Sequence, residues 1–133
     1  MDASPLPALG LPRQRRIKQG RDFARARNEG RRLACGCLIL NWVGLPARSA
    51  SRLGVITGRR IGNAVVRSRA RRLLREAFRV NQTSLTQPVD VVLVARPSIV
   101  DKPFKEVAKD YLTALRRAGL HRAGPDPTTE PSL

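Results

Sequence analysis

The sequence has few of the residues that catalytic and metal sites require. Its only histidine, His121, has no carboxylate or cysteine at a useful spacing for general acid–base catalysis. The ten acidic residues are scattered, so no pair indicates a two-metal hydrolytic centre. Cys35 and Cys37 lack the second ligand pair of a zinc site, and no GxxxxGK[ST] loop is present. We therefore expect no catalytic residue and no metal ligand in this chain.

Long apolar runs are also missing. No stretch approaches the ~20 apolar residues that a membrane-spanning helix needs. The N-terminal sequence MDASPLPALGLP does not have the basic region and sustained apolar region of a secretory signal. We expect a cytoplasmic protein with reduced thiols and no membrane contact.

Basic residues, by contrast, are in large excess. Twenty-six Lys and Arg side chains against ten acidic ones give a formal charge of +16, and 22 of the 26 are Arg. Such a charge makes the compact state repel itself unless counterions or a polyanion offset it. The planar guanidinium binds phosphate in two places and stacks on bases. The composition therefore favours a nucleic-acid partner over an anionic membrane.

The length of 133 residues suits one compact domain. Prolines in the first dozen residues and the polar sequence of the last ones predict flexible tails over 1–12 and 121–133. A single domain is expected between them, over 13–120.

Hydrophobic patterning predicts an α+β fold within that domain. A short helix is expected between Gly20 and Gly30, a longer one from Asn63 to Val80, and a third from Pro103 to Gly119. The segments 37–43 and 53–61 are interpreted as a β-hairpin whose second strand either runs on or breaks at Gly58, and 89–95 as a buried central strand. This order predicts two layers, with the helices on one face of a mixed sheet, and a parallel pair of strands around the second helix. The general rule makes such a crossover right-handed.

The segment 59–79, RRIGNAVVRSRARRLLREAFR, contains eight arginines and a single glutamate. On a helix, Arg67, Arg71 and Arg75 follow one another at four-residue spacing on one face, while the apolar residues face the sheet. Like charges at this spacing oppose helix formation by a few tenths of a kcal/mol per pair. The pattern thus indicates a phosphate-rich partner; a merely solvated basic face is the alternative.

The same segment resembles the signature of the bacterial ribonuclease P protein component. A GNAVxRNR-type start stands here as residues 62–69, with Ser68 where the family commonly has Asn, and it leads into a basic helix that ends near REAFR. The flanking sequences RDF, CLILNWV, LGVITGRRIG and VDVVLVARP also fit. The resemblance implies a four-stranded mixed sheet with three helices in the order α-β-β-β-α-β-α. It also implies a left-handed β-α-β crossover, against the general rule.

The function that this resemblance implies is that of a protein subunit of an endoribonuclease whose catalysis is carried by RNA. The chain would bind the catalytic RNA subunit and the 5′ leader of precursor tRNA, and assist the Mg²⁺-dependent removal of that leader. Mg²⁺ would be held mainly by the RNA. Contacts with the RNA subunit are expected from Arg59, Arg60, Arg67, Ser68, Arg69, Arg71, Arg72 and Arg75.

Leader binding, as the resemblance implies, takes place in a cleft between the first helix and the sheet. Phe23 matches an aromatic position, whereas Arg27 and Asn41 stand where the family often has aromatic residues. An aromatic ring holds single-stranded bases irrespective of sequence. Phe23 as a plain core residue is the alternative.

A second function remains compatible with composition and charge. The chain would then be a non-catalytic structural RNA-binding protein, such as a ribosomal protein or an RNA chaperone. The missing acid, base and metal ligands disfavour a third possibility, an autonomous protein nuclease.

Overall fold

The structure is a computed structural model that describes residues 15–17 and 20–122. It contains three helices and four strands in the predicted order: α1 (Gly20–Asn28), β1 (Arg31–Cys35), β2 (Leu38–Gly44), β3 (Arg52–Ile56), α2 (Ala64–Val80), β4 (Val89–Ala95) and α3 (Phe104–Ala118). Short 3-10 turns lie at Arg59–Ile61, Gln82–Ser84 and Pro97–Ile99. The predicted tail 1–12 and most of the predicted tail 121–133 lie outside the described residues.

The four strands form one mixed sheet in the order β1-β2-β4-β3. β1 pairs with β2, and β2 with β4, in antiparallel fashion; β3 and β4 are parallel and are joined through α2. The predicted mixed sheet, the central position of β4 and the parallel pair around the basic helix are confirmed. The left hand of this crossover stays a prediction.

The predicted hairpin between 37–43 and 53–61 is wrong. β2 pairs instead with β1, through a two-residue turn at Gly36 and Cys37. Gly36 has φ 57°, a conformation that glycine adopts at no steric cost and that such tight hairpin turns require. The second predicted strand ends at Ile56, and β3 lies at the sheet edge beside β4.

The helices cover both faces of the sheet. Val91 and Leu93 of β4 face a core that includes the buried sides of α2 and α3, whereas Val92 faces a smaller cluster with Ala26 of α1. The expectation that the helices share one face therefore holds for α2 and α3 but not for α1. The reason is that β4 is apolar on both faces, and each face needs a cover.

The helix boundaries follow from their capping residues. Asn63 caps α2, because its side-chain oxygen accepts a hydrogen bond of 3.0 Å from the backbone N–H of Val66. α3 ends at Gly119, which has φ 78°. At Gly30, just after α1, a Cβ atom would lie 2.1 Å from the carbonyl oxygen of Trp42, so only glycine fits there.

Both thiols are free and buried at the β1–β2 turn. Burial, followed by a hydrogen bond to Asp110, raises the pKa of the Cys37 thiol to about 12. The pKa of Cys35 is also raised, mainly by burial. The thiols thus stay protonated at neutral pH and pack as small apolar groups, as the sequence predicted.

Ordered contacts continue slightly past the predicted domain end at residue 120. His121 forms a β-bridge with Leu85, and the backbone N–H of Thr86 donates to the carbonyl of Leu120 at 2.9 Å. This short pairing ties the end of α3 to the loop between α2 and β4.

A buried carboxylate fastens α1 to the sheet. Asp90, at the start of β4, is fully buried and accepts two hydrogen bonds, of 2.8 and 2.7 Å, from the guanidinium of Arg52. Arg25 of α1 approaches Asp90 at 4.0 Å, and Asp22 of α1 lies 3.6 Å from Arg52. Opposite charges on the helix and the sheet are therefore interleaved.

We predict that Asp90→Asn destabilises the protein by about 2–3 kcal/mol and loosens α1. A broken buried pair typically costs ~3–5 kcal/mol, and the cost is lower here because Arg52 keeps 31% of its side chain exposed. Urea unfolding measures the loss, and hydrogen exchange reports α1. Asp101→Asn, at an exposed position with φ 69°, is the control. Equal stability of the two variants would contradict this role of Asp90.

Candidate nucleic-acid interface

The arginine-rich helix α2 is held by one apolar side. Ala70, Leu74, Ala77 and Phe78 are buried against the sheet and α3. Successive residues advance by ~100° around the axis, so Arg69 and Arg72 lie on the exposed side, whereas Arg67, Arg71 and Arg75 lie at the edge of the buried side and are half-buried. The structure thus fixes which side of α2 solvent and a partner can reach.

One flank of α2 presents four of the predicted residues together. Arg67, Arg71 and Arg75 follow at four-residue spacing, and Ser68 lies three residues before Arg71. The guanidinium of Arg71 donates to the hydroxyl of Thr57 at 2.8 Å and to that of Ser68 at 3.1 Å. These hydroxyls orient Arg71 without neutralising it. We name these four residues the arginine flank.

Positive charges lie close together at the arginine flank. Burial, then the nearby charges of Arg16 and Arg71, lower the pKa of Arg75. Arg16 belongs to a short segment that bridges to Leu53 of β3. Sequence reasoning missed Arg16 and Thr57, because only the tertiary fold brings them beside α2.

The other predicted arginines lie around this flank and not within it. Arg69 is on the opposite side of α2, about 160° from Arg71, and donates to the backbone carbonyl of Lys102 at 2.9 Å. Arg72 is exposed on the outward side. Arg59 and Arg60 are exposed on the 3-10 turn before α2, which the buried Ile61 anchors. The predicted set is therefore spread over a wide basic surface.

Arg79, near the end of α2, differs from these residues. It forms a bidentate ion pair with Glu76, with N–O distances of 2.9 and 2.5 Å. This hydrogen bonding lowers the pKa of Glu76 and raises that of Arg79. Since the charge of Arg79 is compensated by Glu76, this side chain should attract a phosphate less strongly than Arg71 does.

The opposite face of the sheet forms a second surface beside α1. Phe23 is half-buried there and packs over Gly54 of β3, where a Cβ atom would lie 2.4 Å from its ring. Ile56 and Val94 are partly exposed on the same face. Arg27 is exposed on α1. We name this surface the α1 groove. Strand alternation in the sequence is the signal that could have placed Ile56 and Val94 there.

Asn41 does not belong to the accessible part of the α1 groove. The residue is only 2% exposed, and its side-chain amide donates to the carbonyl of Val92 at 3.4 Å. Asn41 therefore lies beneath the accessible surface of this face, and its direct contact with the leader stays a prediction. Phe23 packs against the sheet, as the alternative of a core residue expected. Part of its surface nevertheless remains exposed.

In the described residues, no three His, Cys, Asp or Glu side chains come together as ligands for a metal ion. Asp90 and Glu76 are each engaged with an arginine. Over the same residues, none of the helices combines the length and the apolar character that crossing a bilayer requires.

Comparison with known proteins identifies the family. The family model for ribonuclease P matches residues 11–119. The chain belongs to the ribonuclease P protein family. The ribonuclease P protein component of Chloroflexus aggregans is 39% identical over 122 residues, which cover 91% of this chain and 87% of the relative.

Solved structures agree with this ribonuclease P assignment. The ribonuclease P protein of Staphylococcus aureus has a TM-score of 0.73 and 25% identity, over 80% of this chain and 97% of that one. That of Thermotoga maritima has a TM-score of 0.69 and 27% identity, over 77% and 96%. The α+β fold with three helices and a mixed sheet is the one found in these proteins.

The chain is accordingly a protein subunit of ribonuclease P, an RNA-binding ribonucleoprotein endonuclease of tRNA processing. Sequence similarity over nine-tenths of the chain does not favour the alternative of a ribosomal protein or RNA chaperone. The likeness to the family that the sequence showed is confirmed.

We predict that Arg71→Gln weakens binding to a ribonuclease P RNA and lowers the slope of log affinity against log salt by about 0.7–0.9. That is the contribution of one phosphate contact. Filter binding over a range of KCl concentrations measures it. Arg79→Gln is the control, because it also removes one positive charge from α2. Since Arg79 is paired with Glu76, the salt slope of this variant should stay near that of the wild type. Equal slopes for Arg71→Gln and the wild type would remove this flank from the RNA interface.

Proposed function

We propose that this ribonuclease P protein binds RNA through two surfaces on opposite faces of its sheet. The arginine flank of α2, with Arg59, Arg60, Arg69 and Arg72 around it, contacts the catalytic RNA subunit. The α1 groove, with Phe23 and Arg27, holds the single-stranded 5′ leader of precursor tRNA. The protein would act in the cytoplasm, where tRNA precursors are made.

The observation that carries the first part is the uncompensated charge of the arginine flank. Arg71 is oriented by two hydroxyls and Arg75 lies among other cations, whereas the one glutamate of α2 pairs with Arg79. A surface that keeps several guanidiniums together in this way gains most from a ligand with closely spaced phosphates.

The second part is supported by the shape of the α1 groove. It places the partly exposed ring of Phe23 beside partly exposed aliphatic side chains, and Arg27 is exposed on the same helix. Stacking on a ring is worth ~1–3 kcal/mol per base and tolerates any sequence. This suits a substrate whose leader differs from one tRNA to the next.

The chemistry is hydrolysis of the phosphodiester bond between leader and mature tRNA by water. Mg²⁺ supplies charge stabilisation and an activated water in such reactions. The described residues contain no ligand set that fits this ion, and we assign it to phosphates of the RNA. The protein offsets phosphate repulsion and positions the leader, so it raises the affinity for precursor over mature tRNA.

We predict that Phe23→Leu lowers the affinity of the reconstituted enzyme for precursor tRNA at least fivefold, equivalent to ~1 kcal/mol or more of lost stacking. Affinity for mature tRNA should stay unchanged. Leucine retains most of the apolar volume over Gly54, so packing is disturbed less than in Phe23→Ala. Equilibrium binding of the two tRNAs measures the effect. Equal losses on both would assign Phe23 to the core alone.

A further inference from the structure

A polar cleft lies where four separate parts of the chain meet. The segment before α1, the β2–β3 loop, the α2–β4 loop and the residues after α3 line a cleft of about 270 Å³ that is widely open to solvent. We propose that this cleft is a binding site for a phosphate group of the RNA backbone. The proposal rests on the proposed function and extends it beyond α2.

The lining of the cleft has the chemistry of an anion site. It contains two guanidiniums, those of Arg15 and Arg122, and no carboxylate. Ser49, Thr86 and Gln87 add hydroxyl and amide groups. The hydroxyl oxygen of Ser51 accepts a 3.0 Å hydrogen bond from the backbone N–H of Val89, which leaves its hydrogen to donate. These donors match the acceptor oxygens of a phosphate.

Arg122 is oriented before any ligand arrives. Its Nε donates to the carbonyl of Thr83 at 3.0 Å and its Nη2 to that of Leu85 at 3.2 Å. Carbonyls fix the plane of the guanidinium but leave its positive charge uncompensated. Nη1 remains as a donor for a ligand.

Arg15 faces the same cleft from the other side. Its Nε donates to the carbonyl of Ser51 at 3.4 Å, so its two terminal nitrogens remain for a ligand. A phosphate between Arg15 and Arg122 would receive charge-assisted hydrogen bonds from two independent parts of the chain.

The cleft is connected to the arginine flank. Arg16 follows Arg15 directly and is bridged to Leu53, and it is close enough to Arg75 to lower the pKa of that side chain. The segment of Arg15 and Arg16 thus lies beside β3, with Arg15 lining the cleft and the charge of Arg16 near Arg75. An RNA strand that follows the arginine flank would place a phosphate in the cleft.

The first test needs the free protein and inorganic phosphate only. On titration with phosphate, backbone amide NMR signals of Ser51, Thr86 and Arg122 should shift, and chloride at equal ionic strength should not shift them. Arg15→Gln should reduce the response, and Arg117→Gln should not, since Arg117 is exposed on α3 and does not line the cleft. No phosphate-specific shift at these residues would overturn the site.

The second test asks whether the phosphate comes from RNA. Arg15→Gln should lower the slope of log affinity for a ribonuclease P RNA against log salt by about 0.7–0.9, a roughly fivefold to eightfold loss near 0.1 M salt. Arg117→Gln again serves as the control of equal charge. An unchanged slope together with a phosphate-induced shift would mean a site for free phosphate, which overturns the assignment to RNA.

Arg122→Gln is the supporting variant, with the same expected slope change. It also removes two contacts to the α2–β4 loop, whereas Arg15→Gln removes one contact to the β2–β3 loop, so thermal unfolding of both variants accompanies the binding data. If the wild-type protein failed to bind ribonuclease P RNA, the proposed function would fall. The phosphate titration would still report on the cleft by itself.

Discussion

The fold depends on the need of β4 to be covered on both faces. Val89, Val91, Val92 and Leu93 are fully buried, so helices must lie on either side of this strand. α2 and α3 cover one face, and α1 with Ile17 covers the other. Because α2 turns its apolar side to the sheet, Arg67, Arg71 and Arg75 lie along the edge of that side, and Arg69 and Arg72 lie on the exposed side. Because α1 covers only part of its face, strand surface beside Phe23 stays accessible. Both candidate RNA surfaces thus follow from the burial of one strand.

Electrostatics in this protein serves two separate purposes. Where arginines meet carboxylates, their charge is compensated within the protein. Asp90 with Arg52 is buried beside α1 and holds it to the sheet, and Glu76 pairs with Arg79 on the last turns of α2. Where arginines meet only hydroxyls, carbonyls or each other, the charge is left for a partner. Arg71, Arg75, Arg15 and Arg122 are of this second kind. With a formal charge of +16, the chain has too few acids to neutralise both groups.

Much of this could be predicted from local sequence. The apolar spacing and Asn63 cap of α2 and the continuous apolar run of β4 are local signals, and so is the glycine that ends α3. Strand pairing is not local, and the two-residue turn at Gly36 was missed, so β2 was given the wrong partner. The burial of Asn41 was missed for a similar reason, since only the tertiary fold shows that α1 covers that face. Arg15 and Arg122 are far apart in sequence and meet only through the loops around the cleft.

The central claim is that the protein assists an RNA catalyst and does not itself cleave. Cleavage of precursor tRNA at low Mg²⁺ tests this most directly, with a bacterial ribonuclease P RNA alone, the protein alone, and both together. Rapid cleavage only in the combined reaction is the predicted result. Cleavage by the protein alone, or no gain when the protein is added despite tight RNA binding, would contradict the account.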